Sequence, residues 1–550
     1  MGTVHVVNMI PAAMSGETNQ DSEPNIAVNP QQPTDIVATA FTPAPMGGSF
    51  APIYVSTDGG NIWALRSVVP GNGSFGTGDI TVGFATTGGM LYAGILNGTT
   101  GRMQILRTSG FSSTTPMSVL VDRTSEDQPW VVAGSVVVGG VSRDRVYVGN
   151  EDGNQPLGRT ATVDVSQDAA TAPAPAGFTP IQLEHRSTVV IAGLGRGKDG
   201  PPIRTAVHPD GTVYSAFHRW ASGTFPNLNI DIVVTRDNNW GASVPPFSAL
   251  VDSGDHVVGQ RIATNRFIRF NALMGQERLG GDLSIAVDPA DSGILWVAWC
   301  DRVGGMAGTD WTLHVSHSID RGQTWSADVR TITNAKNPSL AVNSNRLLGL
   351  AYQQFTGAQW VTTLELTANS WAAAAETHVL HQAPSNTPFR VFLPYIGDYI
   401  RLIAVGADFY GVFSGNNTPD LANFPSGVTY QRGANFTTHI LLNTDGTTPV
   451  AVSIDPFFFH WSNTLIPISR GPISRGPIVP GPIARGPILP GPIVRQPIVP
   501  GPIIREPINP IGVPQAPPAT PTPAPDAPAT PKRGGRRTPR SPKPPTDIDL

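Results

Sequence analysis

The sequence predicts an all-β chain: a seven-bladed β-propeller over residues 1–464, followed by an extended Pro-rich C-terminal tail. Three observations carry this reading. A strand–turn–strand unit recurs seven times, a Ser-x-Asp-x-Gly-x-x-Trp turn recurs in phase with it, and the composition changes abruptly near residue 465.

The composition excludes several other classes. Of the 550 residues, 59 are Gly and 54 are Pro, so stretches free of both are too short for a bundle of long helices. No apolar run is long enough for a membrane-spanning helix. The single cysteine, Cys300, rules out an intramolecular disulfide and any Cys-based zinc cluster. The start of the chain lacks a basic stretch followed by an apolar one, so no secretory signal is expected.

The repeat is the primary signal. Its seven copies begin at Glu23, Asp79, Asp127, Pro202, Asp282, Pro338 and Tyr399. Each reads as two short β-rich runs around an Asn-Pro, Gly-Gly, Asp-Gly or similar turn, the chemistry of a β-hairpin. A second signal follows about 30 residues later in the first and fifth units. It reads Ser56-Thr-Asp58-Gly-Gly60-Asn-Ile-Trp63 and Ser318-Ile-Asp320-Arg-Gly322-Gln-Thr-Trp325. Degenerate copies include Ser166-Gln-Asp168, Thr235 to Trp240 and Thr367 to Trp371. The physical reading of the turn is structural. Ser and Asp accept backbone N–H groups, Gly supplies positive φ, and Trp folds back as an apolar peg. Two hairpins per unit make four strands, which is one propeller blade. Six blades is the alternative count, because the second and sixth units have poor turns. Closure should place the N-terminal strand Thr3–Met9 in the blade that holds Ala451–Phe459, leaving no long free sheet edge.

These turns and repeats resemble the Asp-box (BNR) repeats of the sialidase-like propeller superfamily, over roughly residues 1–462. In that superfamily the boxes lie on the blade periphery and serve the fold. Its sialidases use an arginine triad for the substrate carboxylate, a Tyr nucleophile paired with Glu, and an Asp acid/base. The resemblance implies Arg278, Arg390 and Arg401 as substrate-binding arginines. It implies Tyr399 as nucleophile, with Asp282, Glu277 and Asp398 as catalytic carboxylates. The family's Phe/Tyr-Arg-Ile/Leu-Pro motif is not found before the first box; the nearest string is Phe389-Arg-Val-Phe-Leu-Pro394.

An acidic row is read from the repeats themselves. Asp21, Glu23, Asp79, Glu126, Asp127, Asp282 and Asp398 each precede the first strand of a unit, three of them as Gly-Asp. First strands line a propeller's channel, so these carboxylates are expected at one channel mouth, with Asp79 and Asp127 as binding groups. Crowded carboxylates raise one another's pKa and suit acid catalysis; hard oxygens suit Ca²⁺. The competing reading is that they only satisfy turn N–H groups. Trp220, Trp311 and Trp360 are the candidate sugar-stacking rings. No nucleotide-binding loop, His-based zinc motif or nucleophile elbow occurs.

The tail has a different character. Residues 465–510 contain nine pentapeptides with Pro second, Ile third, and Arg or Pro fifth, which fits a polyproline-II-like stalk. Residues 511–550 form a basic Pro/Ala/Thr-rich segment expected to be disordered, with a protein or an anionic polymer as its partner. Without interleaved aromatics it supports no specific nucleic-acid readout.

Three functions follow as expectations. The first is a propeller that binds a glycan or other surface polymer at its channel mouth, displayed on the stalk. The second is a sialidase-type exo-glycosidase. The third is an assembly component acting through its tail. The family resemblance points to an exported or surface-associated role.

Overall fold

The computed structural model describes residues 2–41, 50–70, 79–97, 102–124, 126–155, 160–171, 177–186, 203–224, 227–269, 281–305, 311–388 and 396–463. The chain divides into two compact units, Met1–Ile466 and Pro467–Leu550. The pentapeptide repeat and the basic segment, and with them the stalk and tail readings, lie outside the described residues.

The first unit is built from antiparallel sheets. Among the described residues, seven have four strands, and one small sheet has three, at Gly433–Asn435, Ile440–Leu442 and Pro449–Val450. The first strands of the seven are Ser22–Val28, Ile80–Phe84, Trp130–Val138, Arg204–Val207, Leu283–Asp288, Ala335–Val342 and Arg401–Val405. They start at or within a few residues of the seven repeat starts read from the sequence. Six sheets are simple meanders of consecutive strands. The seventh runs Arg401–Val405, Asp408–Asn416, Ile454–Ser462 and then Thr3–Asn8, so its last strand comes from the N-terminus. Thr3 pairs with Ser462 and Asn8 with Phe457.

Alternating apolar residues explain why the sheets stack. Each sheet presents one face to the sheet before it and one to the sheet after it, so inward residues on both faces are buried. Ile53, Val82 and Leu106 fill the seam between sheets one and two. Ile105, Val131 and Val146 fill the next. Val163, Phe217 and Val233 join sheets three and four. A larger cluster around Ile232, Trp296, Leu313 and Leu350 runs through sheets four, five and six. Leu364, Phe413 and Phe459 join six to seven, and Val412, Phe458, Ile26 and Tyr54 join seven back to one. The stack therefore closes on itself, the arrangement of a propeller.

A polar lock secures that closure. Arg432, on the excursion between two strands of the seventh sheet, pairs with Asp455, and both are buried. Asp455 also accepts hydrogen bonds from Asn8 Nδ2 (2.7 Å), Asn417 Nδ2 (3.1 Å) and Ser453 Oγ (2.6 Å). Arg432 donates to the carbonyls of Ser15 and Glu17, tying down the chain just after the N-terminal strand. The bonds made by Asp455 and by the Arg432 Nη1 group offset part of the cost of burying this ion pair.

Removing one partner leaves a buried charge alone. Arg432→Ala should cost about 3–5 kcal/mol in urea unfolding, while Arg102→Ala, at an exposed pair with Asp122, should cost no more than about 1 kcal/mol. Equal losses would contradict the lock.

Candidate functional site

Neighbouring strands are antiparallel, so each first strand starts at the same end of its sheet as the link between strands two and three. The Ser-x-Asp turns link strands three and four, at the opposite end. Ser56 Oγ accepts the Gly60 N–H (3.0 Å), Asp58 Oδ1 accepts those of Asn61 (3.1 Å) and Ile62 (3.0 Å), and Trp63 Nε1 donates to Gly60 O (2.9 Å). The second copy repeats this: Gly322 N to Ser318 Oγ 2.9 Å, Thr324 N to Asp320 Oδ1 2.9 Å, Trp325 Nε1 to Gly322 O 3.0 Å. In the degenerate copy Thr367 and Asn369 take the same roles. The turns are hydrogen-bonded within themselves.

At the other end, side chains from four different sheets meet. Arg204 Nη2 donates to Asp282 Oδ1 at 2.8 Å, and both residues are buried. The Arg204 guanidinium lies 3.6 Å from the centre of the Trp130 ring, and that of Arg401 lies 4.3 Å from it. Tyr399 meets Trp130 edge-on at 5.6 Å and 88°. Trp130 belongs to the third sheet, Arg204 to the fourth, Asp282 to the start of the fifth, and Tyr399 and Arg401 to the seventh. Sheets three and seven are not neighbours in the ring, so their contact crosses its middle.

The electrostatics follow from burial with mixed charges. Loss of solvation lifts the Asp282 carboxyl to about 6, although Arg204, the Leu283 N–H and Arg401 all favour its ionised form. Burial and the neighbouring Arg204 hold Arg401 down to about 9, opposed by Asp282. Tyr399 is pushed well above its usual range by burial and by the Asp79, Glu23 and Asp398 carboxylates, with Arg204 opposing. The buried Arg401 Nη1, Arg204 Nε and Tyr399 hydroxyl make no hydrogen bond among the described residues.

Backbone geometry fixes the approach of these residues. Gly281 has φ +75°, and a Cβ there would sit 3.0 Å from Cys300 Cβ and 3.1 Å from Lys336 Cβ. Gly397 has φ +97°, and a Cβ would fall 2.4 Å from the Glu23 backbone N. Glycine is therefore required before Asp282 and Asp398. The Asp398 N–H donates to Glu23 Oε1 at 3.3 Å across the closing seam.

Of the residues singled out from sequence, Asp79, Asp282, Asp398, Tyr399 and Arg401 fall in one electrostatic neighbourhood. Asp127 Oδ1 accepts the Gln128 N–H at 3.0 Å in a local turn. Glu277, Arg278 and Arg390 lie outside the described residues. Trp311 is buried, and Trp220 and Trp360 are half-buried. Lys336 Nζ lies 4.6 Å from the centre of the Trp360 ring. Among the described residues, no group of three or more His, Cys, Asp or Glu is arranged to hold a metal ion. Trp130 and Arg204 were missed. Aligning the first strands on their Ile-Ala-Val-like core finds them, since Trp130, Arg204 and Arg401 then share one repeat position.

Beside the cluster, His314 is buried between Asp328 (Nδ1, 2.7 Å) and Asp301 (Nε2, 3.2 Å) and stacks on Trp299 at 5.2 Å and 12°. Trp299 pairs with Leu283, the neighbour of Asp282.

No protein family matches the chain by sequence, and no curated protein does. Solved structures similar to it include an α-L-arabinanase from Penicillium chrysogenum complexed with arabinobiose, 11% identical, covering 83% of this chain and 98% of that one, with a TM-score of 0.36. The endosialidase of phage phi92 is 12% identical, covering 87% and 72%, with a TM-score of 0.39. The GH93 α-L-arabinofuranosidase of Fusarium graminearum, complexed with arabinobiose, is 9% identical, covering 69% and 97%, with a TM-score of 0.35. The propeller assignment rests on the chain's own sheet order and filled seams.

The His314 environment makes a pH prediction. Burial alone would lower its pKa, but the bonds and charges of Asp301 and Asp328 outweigh this and lift it to about 9. The folded value lies above the usual 6.5, so the stabilisation is complete below about 6.5 and fades as pH rises through about 9. Across that window the wild type should lose on the order of 2–3 kcal/mol that His314→Ala does not lose. Urea unfolding at the two ends of the window reads this directly, and parallel slopes would contradict it.

Proposed function

We propose that residues 1–464 form a seven-bladed propeller that binds an acidic glycan at the mouth of its channel, carried by the Pro-rich segment as a stalk. One observation carries the reading. Two guanidinium groups are held against one indole, and one of them, that of Arg204, is hydrogen-bonded to the Asp282 carboxylate. Arg401 has a buried Nη1 with no hydrogen-bond partner and is electrostatically opposed by Arg204. A second anion relieves that opposition, and a carboxylate matches the planar fork of a guanidinium. In this reading Asp79 and Tyr399, which share the electrostatic neighbourhood of Asp398, would contact the sugar. In this reading the Ser-x-Asp turns are Asp-boxes with a structural role.

A second reading, exo-glycosidase action, is favoured by one feature. Asp282, lifted to about 6, keeps a proton available near neutral pH, as a general acid requires. Asp398 or Tyr399 would then act on the sugar's other side.

Calorimetry with sialyllactose, oligogalacturonate and hyaluronan fragments, each beside a neutral counterpart, tests binding. The proposal expects selective binding of a carboxylated member, weakened at least about tenfold by Arg401→Ala and reduced by salt. Binding that is absent, or indifferent to the carboxylate and to Arg401, would overturn it. Turnover of the bound member that Asp282→Asn abolishes would promote the enzyme reading.

A further inference from the structure

The seven first strands can be aligned on their common core: Ile26-Ala-Val, Val82-Gly-Phe, Val131-Val-Ala, Thr205-Ala-Val, Ile285-Ala-Val, Leu340-Ala-Val and Leu402-Ile-Ala. In five sheets the residue just before the core faces a Gly or Ala on the second strand: Gly94, Gly149, Ala216, Ala298 or Ala351. In four sheets that residue is a clamp. Asn25 Oδ1 accepts the Val82 N–H (3.1 Å), Thr81 Oγ1 that of Val131 (2.9 Å), Ser284 Oγ that of Leu340 (2.9 Å) and Ser339 Oγ that of Leu402 (2.8 Å). Each clamp takes the first core N–H of the following sheet. A small acceptor at this position pins one sheet to the next near the ring's middle.

The three sheets without such a residue carry Trp130, Arg204 and Arg401 instead. None of these side chains offers the carbonyl or hydroxyl acceptor that a clamp needs. Yet these three are the residues that touch one another across the ring, at 3.6 and 4.3 Å from the Trp130 ring centre. The clamp has been given up where the central cluster stands and nowhere else in the row.

We propose that Trp130 is the positioning residue of this site: its indole holds the guanidinium groups of Arg204 and Arg401 at a fixed spacing around the place where the ligand's anionic group docks. The proposal rests on the acidic-glycan reading for the ligand, but the positioning itself does not depend on it. Arg204 is oriented from one side by Asp282 and from the other by the indole. Arg401 has no ion pair among the described residues, so the indole, itself met edge-on by Tyr399, is what fixes its direction. Cation–ring attraction is strongest where water is excluded, as it is around this buried tryptophan.

Two full-length variants test this, Trp130→Leu and Trp130→Phe, with two readouts. The first is the rate at which phenylglyoxal modifies Arg204 and Arg401, mapped by peptide mass and compared with Arg186, a buried arginine held by Glu184 and Asp255. Trp130→Leu should raise the rates at Arg204 and Arg401 at least about tenfold with Arg186 unchanged, and Trp130→Phe should fall between it and wild type. A general loosening would raise all three rates together and would count against the proposal, as would unchanged rates at Arg204 and Arg401. The second readout is affinity for the tightest carboxylated fragment of the calorimetry panel. Trp130→Leu should lose at least about tenfold and Trp130→Phe no more than about threefold. If wild type binds no fragment, the ligand reading fails while the modification rates still decide the positioning role. If wild type binds and Trp130→Leu binds equally well, positioning is refuted.

Discussion

Closure of the sheet stack is the constraint on which the rest depends. An open stack would leave two apolar sheet faces in water, and each sheet here is apolar on both sides. The chain resolves this by lending its N-terminal strand to the seventh sheet and by packing Phe458 and Val412 against Ile26 and Tyr54. Once the ring is shut, every first strand is forced toward a common middle. Residues distant in sequence, such as Trp130 and Arg401, then become neighbours without any local signal to say so. The buried Arg432–Asp455 pair matters for the same reason: it anchors the excursion and the N-terminal segment at the seam where the N-terminal strand meets Ile454–Ser462.

The middle of the ring is where regularity gives way. Four sheets use one position of the repeat to bind the next sheet, and three use it to assemble two cations, an indole and, through Asp282 and Tyr399, a carboxylate and a phenol. A clamp given up is a local loss of hydrogen bonding, which a repeat protein tolerates when neighbouring seams are well filled by apolar side chains. Function in a symmetric scaffold tends to sit where symmetry breaks, because there the side chains are free of the structural duty their equivalents perform.

Much of this was legible in the sequence. The strand repeat and its in-phase turns located the first strands, because alternating apolar residues and Gly- or Asn-containing turns report local geometry directly. The acidic residues before those strands were legible as a row, and Asp282, Asp398 and Tyr399 came with it. Trp130 and Arg204 were not found by the same reasoning. Trp130 looks like any strand tryptophan, and Arg204 carries no motif; their meaning lies in a contact across the ring between residues far apart in the chain. Asp127 belongs to the acidic row by position, and its carboxylate accepts the N–H of Gln128 in its own turn. The arginines expected at Arg278 and Arg390 fall outside the described residues and remain expectations from the family resemblance.

A double-mutant cycle between Trp130 and Arg401 tests the central claim most directly, because the two residues approach only if the ring closes as described. Unfolding free energies of Trp130→Leu, Arg401→Met and the double variant should show a coupling of about 1 kcal/mol or more, as expected for a desolvated cation–ring contact. Strictly additive losses would mean that sheets three and seven do not meet, and the account of both fold and site would fail together.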